Sequence, residues 1–107
     1  MDTDAVTGLS LLVKQPSENR LYDIKFVQEL RTGDTISTVI SVVAVAQGEV
    51  IEVTPLAIAD SPAHSDTIVQ PRISGGTHGE RYKVTAKITT TGGDTLEVDT
   101  ILEVKDL

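Results

Sequence analysis

His64 and His78 are the side chains best suited to chemistry, and carboxylates are scattered around them. A zinc site needs three or four ligands held by fixed elements. His64, Asp66 and Asp60 sit together around Pro62, where nothing fixes them, and they read as solvated loop residues. Ser65, His64 and Asp60 supply the atoms of a hydrolytic triad. No nucleophile elbow or oxyanion loop accompanies them. Gly75, Gly76 and Gly79 outline a phosphate cradle, but such a cradle follows a strand and opens a helix. A strand follows here, so the glycines read as a turn that lets the chain cross between sheets. Tyr82 then begins that strand. Its core role is a tyrosine bonded to upstream backbone at a sheet corner. As a stacking platform it would want aromatic neighbours, and it has none. Glu97, Asp99 and Glu103 alternate along one segment. Carboxylates two apart on a strand point the same way without converging on calcium, and they read as a solvated face. No residue is assigned to catalysis, to a cofactor or to a metal, and the reading is of a chain that is not an enzyme.

The elements that carry these residues follow from composition. The 107 residues suit one domain, read as a flexible arm over 1–8 and a folded body over 9–107. Aromatics are 3% of the chain, so aliphatic side chains must supply the core. Val, Ile and Thr fill 29 of the 70 positions from Thr35 to Val104. Residues branched at Cβ lose rotamer freedom in helices and pack well on a pleated surface. The net charge of -7 disfavours nucleic acid and anionic membrane surfaces, which want clustered Lys and Arg. Without cysteine there is neither a disulfide nor a thiolate metal site. Met1-Asp2-Thr3-Asp4 is acidic where a signal peptide would be basic. The longest apolar run, Val42 to Ala46, is too short for a bilayer.

Alternation and turn residues mark seven strands: 9–14, 20–27, 35–46, 49–59, 67–73, 82–90 and 95–104. Pro71 makes the fifth an edge or bulged strand. Turns at roughly ten-residue spacing predict an all-β fold, an immunoglobulin-like seven-stranded antiparallel sandwich. The last hairpin is fixed by parity. Tyr82, Val84, Ala86, Ile88, Leu96, Val98, Leu102 and Val104 are all even-numbered, and side chains directly across a hairpin share a face. The loop must hold an odd number of residues. A loop of Thr91-Gly92-Gly93 pairs Ile88 with Leu96 and puts Gly93 in the left-handed region.

For residues 35–59, a Gln47-Gly48 loop would set Ile40, Val42 and Ala44 beside Pro55, Val53 and Ile51. The other face would carry Val39, Val43, Val45, Val50, Leu56 and Ile58. Only one face of a two-layer sandwich meets the core. These six residues are therefore the candidate partner interface, with cover by the N-terminal arm as the rival, since large exposed apolar patches on monomers are uncommon.

Several segments, in order, resemble small immunoglobulin-like virion proteins of tailed bacteriophages, of the fibre–tail adaptor type. They are Lys14-Gln15-Pro16-Ser17-Glu18 before Tyr22-Asp23, then Gly33-Asp34-Thr35-Ile36. Ser74-Gly75-Gly76-Thr77 comes next, with Gly79, Tyr82, Val84 and Thr85, running into Ile88-Thr89-Thr90. Ile40 departs from an aromatic in that family, and Glu97 and Asp99 depart from arginine in its last strand. The resemblance implies a virion structural protein, a small tail or neck adaptor joining larger parts of the particle after assembly in the bacterial host cytoplasm. Its implied partners are other virion proteins (tail, neck or fibre components), with a homo-oligomeric ring in the particle and neither nucleic acid nor membrane. The alternative is an adhesion or carbohydrate-binding β-sandwich module, which would want exposed aromatics or a calcium site.

Overall fold

The computed structural model describes residues 2–3, 10–48 and 55–106. Among these residues every regular element is a strand. There are eleven segments: β1 (Asp2–Thr3), β2 (Ser10–Lys14), β3 (Arg20–Leu21), β4 (Ile24–Lys25), β5 (Ile36–Ala46), β6 (Leu56–Ile58), β7 (Ala63–His64), β8 (Ile68–Gln70), β9 (Arg72–Gly75), β10 (Arg81–Thr90) and β11 (Thr95–Val104). They form a five-stranded sheet, β1-β2-β11-β10-β5, and two three-stranded sheets, β3-β9-β6 and β4-β8-β7. Asp2 and Thr3, in the segment read as an arm, pair with Leu11 and Ser10.

Alternation explains the core. Tyr82, Val84, Ala86 and Ile88 of β10 join Leu102 and Val104 of β11. From the small sheets come Ile24, Val69 and Ile73, with Tyr22 and Phe26 beside them. One face of each sheet is thus apolar and turned to the same interior, as period-two strands require.

The small sheets show why seven predicted strands become more segments. Pro71 has no N–H to donate, so the ladder beside it is interrupted. The chain over 68–75 reads as β8 and β9 on either side of that residue. The neighbouring chain over 20–25 divides in step, although the Tyr22 N–H still donates to the Pro71 carbonyl at 3.1 Å. The proline predicts an edge or a bulged strand, and the edge is the part that the structure corrects. Instead β8 and β9 lie in the middle of their sheets, and the irregularity falls on the chain beside them.

Two further expectations are corrected. The sheet is not wholly antiparallel, because β2 runs parallel to β11, with Leu11 opposite Ile101 and Leu12 opposite Leu102. After β2 the chain crosses to another sheet instead of turning back, so no hairpin imposes an antiparallel partner. Nor does the described part of the fourth strand pair with β5. β6 pairs with β9, and the Pro55 carbonyl accepts from the Gly76 N–H at 3.3 Å. Val53 and Ile51 lie outside the described residues.

The last hairpin has the predicted register, with Ile88 opposite Leu96 and Ala86 opposite Val98. The Thr90 N–H donates to Asp94 at 2.8 Å and the Gly93 N–H to Thr90 at 3.1 Å, closing a loop of residues 91–93. Gly93 has φ of 96°.

Candidate functional site

The six residues proposed from sequence as an interface do not share a face, and β5 shows why. Its register against β10 slips twice. Thr90 faces Ile36 but Thr89 faces Thr38; Ile88 faces Val39 but Lys87 faces Ser41. Ser37 and Ile40 are therefore extra residues, and each bulge reverses the parity of the strand beyond it. Ile36, Val39, Val42, Ala44 and Ala46 all end up opposite the even-numbered residues of β10 and toward the core. Val39 thus leaves the face of Val43 and Val45. Leu56 and Ile58 also pack against the core from β6. Val43 and Val45 point outward and are 52% and 57% exposed, with Ile40 exposed at the bulge. Val50 lies outside the described residues.

The other candidate residues are held by local bonds. The exposed His64 ring has Nδ1 3.0 Å from the Ser65 carbonyl. The Asp106 N–H donates to His78 Nδ1 at 2.9 Å. Among the described residues no three His, Cys, Asp or Glu side chains gather where a metal ion could bind. Asp99 accepts from the Thr85 hydroxyl at 2.6 Å and lies 3.4 Å from Lys83. Glu103 lies 3.8 Å from Arg81 and 3.4 Å from Lys105. Asp99 and Glu103 are thus paired on the outer face of the sheet, where opposite charges on neighbouring strands favour this register.

Tyr82 is buried, and its hydroxyl oxygen accepts from the Thr77 N–H at 3.3 Å. The glycine-rich stretch before it carries the chain from β9 to β10, from a small sheet to the large one. Gly76 would be both strained and crowded by a side chain there. Its φ is 93°, and a Cβ would lie 2.7 Å from Val104 Cγ2.

Sequence reasoning missed two latches. Lys14 is fully buried, yet among the described residues no carboxylate pairs with its ammonium. Its Nζ donates to the carbonyls of Gln15, Pro16 and Gly75 at 2.7, 3.1 and 2.6 Å. Burial pushes the Lys14 ammonium below its ordinary pKa, an effect that Glu18 opposes. A lysine closing a strand of alternating apolar residues gives no sign of burial until the Gly75 carbonyl is placed beside it. The second latch is Asp34. One of its oxygens accepts from the Thr35 N–H at 2.9 Å and the Gly92 N–H at 3.0 Å. The Thr35 N–H, helped by the Thr90 hydroxyl, holds the Asp34 carboxyl below its ordinary pKa. Arg31 pairs with Asp94 at 2.9 Å, and the Thr91 N–H donates to the Thr35 carbonyl at 2.9 Å. The Gly33-Asp34-Thr35 segment therefore grips the tip of the last hairpin.

Taken with the fold, these contacts define a small all-β protein whose distinctive polar residues hold its own loops and strand ends. The family described as "Podophage GP4 fiber-tail adaptor protein gp77" matches residues 14–103, and the chain belongs to that family. The match runs from the buried lysine to the paired Glu103, so it takes in both latches. A search of curated proteins gave no match.

Proposed function

We propose that the chain is a non-enzymatic virion part, a small tail or neck adaptor that joins larger components of a tailed phage particle. The family match over residues 14–103 carries this reading. The layered core supports an immunoglobulin-like build: the large sheet and the two small ones contribute to one apolar interior, and a buried tyrosine fastens the crossing between them. On this reading the seven predicted strands are the unit of the fold, with β3 and β4 one interrupted strand and β8 and β9 another. The protein works as a rigid spacer between tail and fibre components, in a homo-oligomeric ring within the virion. Val43 and Val45 are the outward members of the six-residue interface among the described residues. They form one contact surface on the large sheet, and the exposed Ile40, which is not among the six, adds to it.

The test is localisation in the particle. An epitope-tagged chain incorporated into phage, then labelled with gold-conjugated antibody, should place the label where fibres join the tail. Label confined to the capsid, or particles without the chain, would overturn the reading. Mass photometry of the purified protein should show a closed oligomer or its formation on adding tail components; a persistent monomer under both conditions would remove the ring.

A further inference from the structure

An adaptor must bind on two sides, and the layer opposite Val43 and Val45 carries a pocket. It arises from Pro71. β6 pairs with β9, and the Ala59 N–H donates to the Arg72 carbonyl at 3.0 Å. The ladder fails beside Pro71, so the chain arches through Asp60, Ser61 and Pro62 before Ala63 rejoins opposite Gln70. Ser61 sits at φ of 54° in this arch, the one non-glycine residue with positive φ among those described. Non-glycine residues held in that region cluster at ligand and partner sites.

The arch and the sheet border an open recess of about 220 Å³ on the outer face. Leu21, 44% exposed, lies beside Arg72 on its sheet side. Ala59, Pro62 and Ala63 supply the remaining apolar lining. Arg72 is exposed and has no carboxylate partner among the described residues. Its Nη1 reaches only the Asn19 backbone and side-chain oxygens, at 3.4 and 3.3 Å. A chain with 16 acidic and 9 basic residues has thus left a guanidinium without a carboxylate beside an apolar recess. Asp60 lines the arch side, so charge is polarised across the opening.

We infer that this pocket docks an extended segment of another virion protein, one that presents an aliphatic side chain next to a carboxylate. The aliphatic group fills the recess over Leu21 and Pro62. The carboxylate takes a forked hydrogen bond from Arg72, a geometry guanidinium suits better than any other side chain. Asp60 repels a carboxylate from the arch side and so fixes the direction of the segment. This inference rests on the adaptor reading for the source of the segment, but not for the chemistry of the pocket.

The probe is N-acetyl-leucyl-aspartyl amide, titrated into the isotope-labelled full chain and followed by amide chemical shifts, with the asparaginyl and lysyl peptides as controls. Shifts should centre on Leu21, Ala59, Ser61, Ala63 and Arg72. The aspartyl peptide should bind about two- to fivefold tighter than the asparaginyl one, the factor expected for an ion pair to an exposed guanidinium. Arg72→Gln should erase that preference while the rest of the spectrum stays in place. Absence of shifts at these residues, equal binding of the aspartyl and asparaginyl peptides, or preference for the lysyl peptide overturns the inference. In particles, Ala63→Trp should fill the pocket and reduce incorporation of the folded chain; normal incorporation removes the pocket as a docking site and leaves the adaptor reading standing. Were the wild-type chain itself missing from particles, the adaptor reading would fall, and the peptide titration would still decide the pocket.

Discussion

Two glycines at positive φ separate backbone strain from packing. Gly93 opens onto solvent, and a Cβ there meets nothing within 4 Å. Gly93→Ala should therefore show the conformational cost alone, about 1 kcal/mol. Gly76 has the same conformational demand, and a Cβ there would press on Val104 at 2.7 Å and on Leu56 at 3.1 Å. Gly76→Ala should cost about 2–4 kcal/mol, strain and overpacking together. Chemical denaturation of both variants checks the ordering; equal losses would mean that Val104 moves aside freely. The tyrosines make a second contrast. Burial pushes the Tyr22 hydroxyl up to about 12, and among the described residues its oxygen is buried without a partner. A buried hydroxyl with no partner costs stability, whereas a satisfied one contributes. Tyr22→Phe should leave the protein unchanged or up to about 1 kcal/mol more stable, while Tyr82→Phe, which loses the Thr77 bond, should cost about 1 kcal/mol. A destabilised Tyr22→Phe would show that the hydroxyl has an acceptor after all.

At the scale of elements, the pairing of the last hairpin with the Gly33-Asp34-Thr35 segment depends on pH, and its sign comes from Asp34. The folded carboxyl lies below its ordinary value of 3.8. Its contribution is thus complete above the unfolded pKa and is lost as pH falls through the folded one. The hairpin tip should stay closed at neutral pH and loosen as the solution is taken below about pH 4. Carbon-detected titration of Asp34 should coincide with movement of the Gly92 amide resonance, and Asp34→Asn should remove that coupled step. Independent titration of the two would show that the latch is not what holds the tip. The same elements show what is legible in the chain. The hairpin register can be read because every inward residue of β10 and β11 has one parity, and an odd loop alone satisfies it. The bulges of β5 cannot, because Ser37 and Ile40 are neither glycine nor proline and fit a regular strand equally well. Only the fixed partner positions of β10 reveal the extra residues. Pro71 announces an interruption but not its place, since a missing N–H says nothing about which neighbour must bend away.

For the whole molecule, the double bulge sorts the aliphatic residues that alternation alone puts together. Counting residues places Val43 and Leu56 on one surface. The fold separates them: Val43 is outward on β5, and Leu56 packs on the core near Gly76. Singly substituted, they should behave differently. Val43→Lys should leave thermal unfolding within about 0.5 kcal/mol of the parent, as exposed substitutions generally do. Leu56→Lys should cost about 2–4 kcal/mol, from lost packing and a charge drawn toward the interior. Assembly then reads out what stability does not. If the outward face of β5 is a contact in the virion, the folded Val43→Lys protein should be excluded from particles or bind tail components more weakly. The matched change on the same sheet face, Lys87→Gln, removes a charge without setting a like charge opposite Glu97 and should leave the fold equally intact. A Val43→Lys chain that unfolds early would assign Val43 to the core. One that folds and assembles as the parent does would leave the outer face of β5 without a partner and would move the adaptor's contacts to the other layer, where the Pro71 interruption opens the pocket.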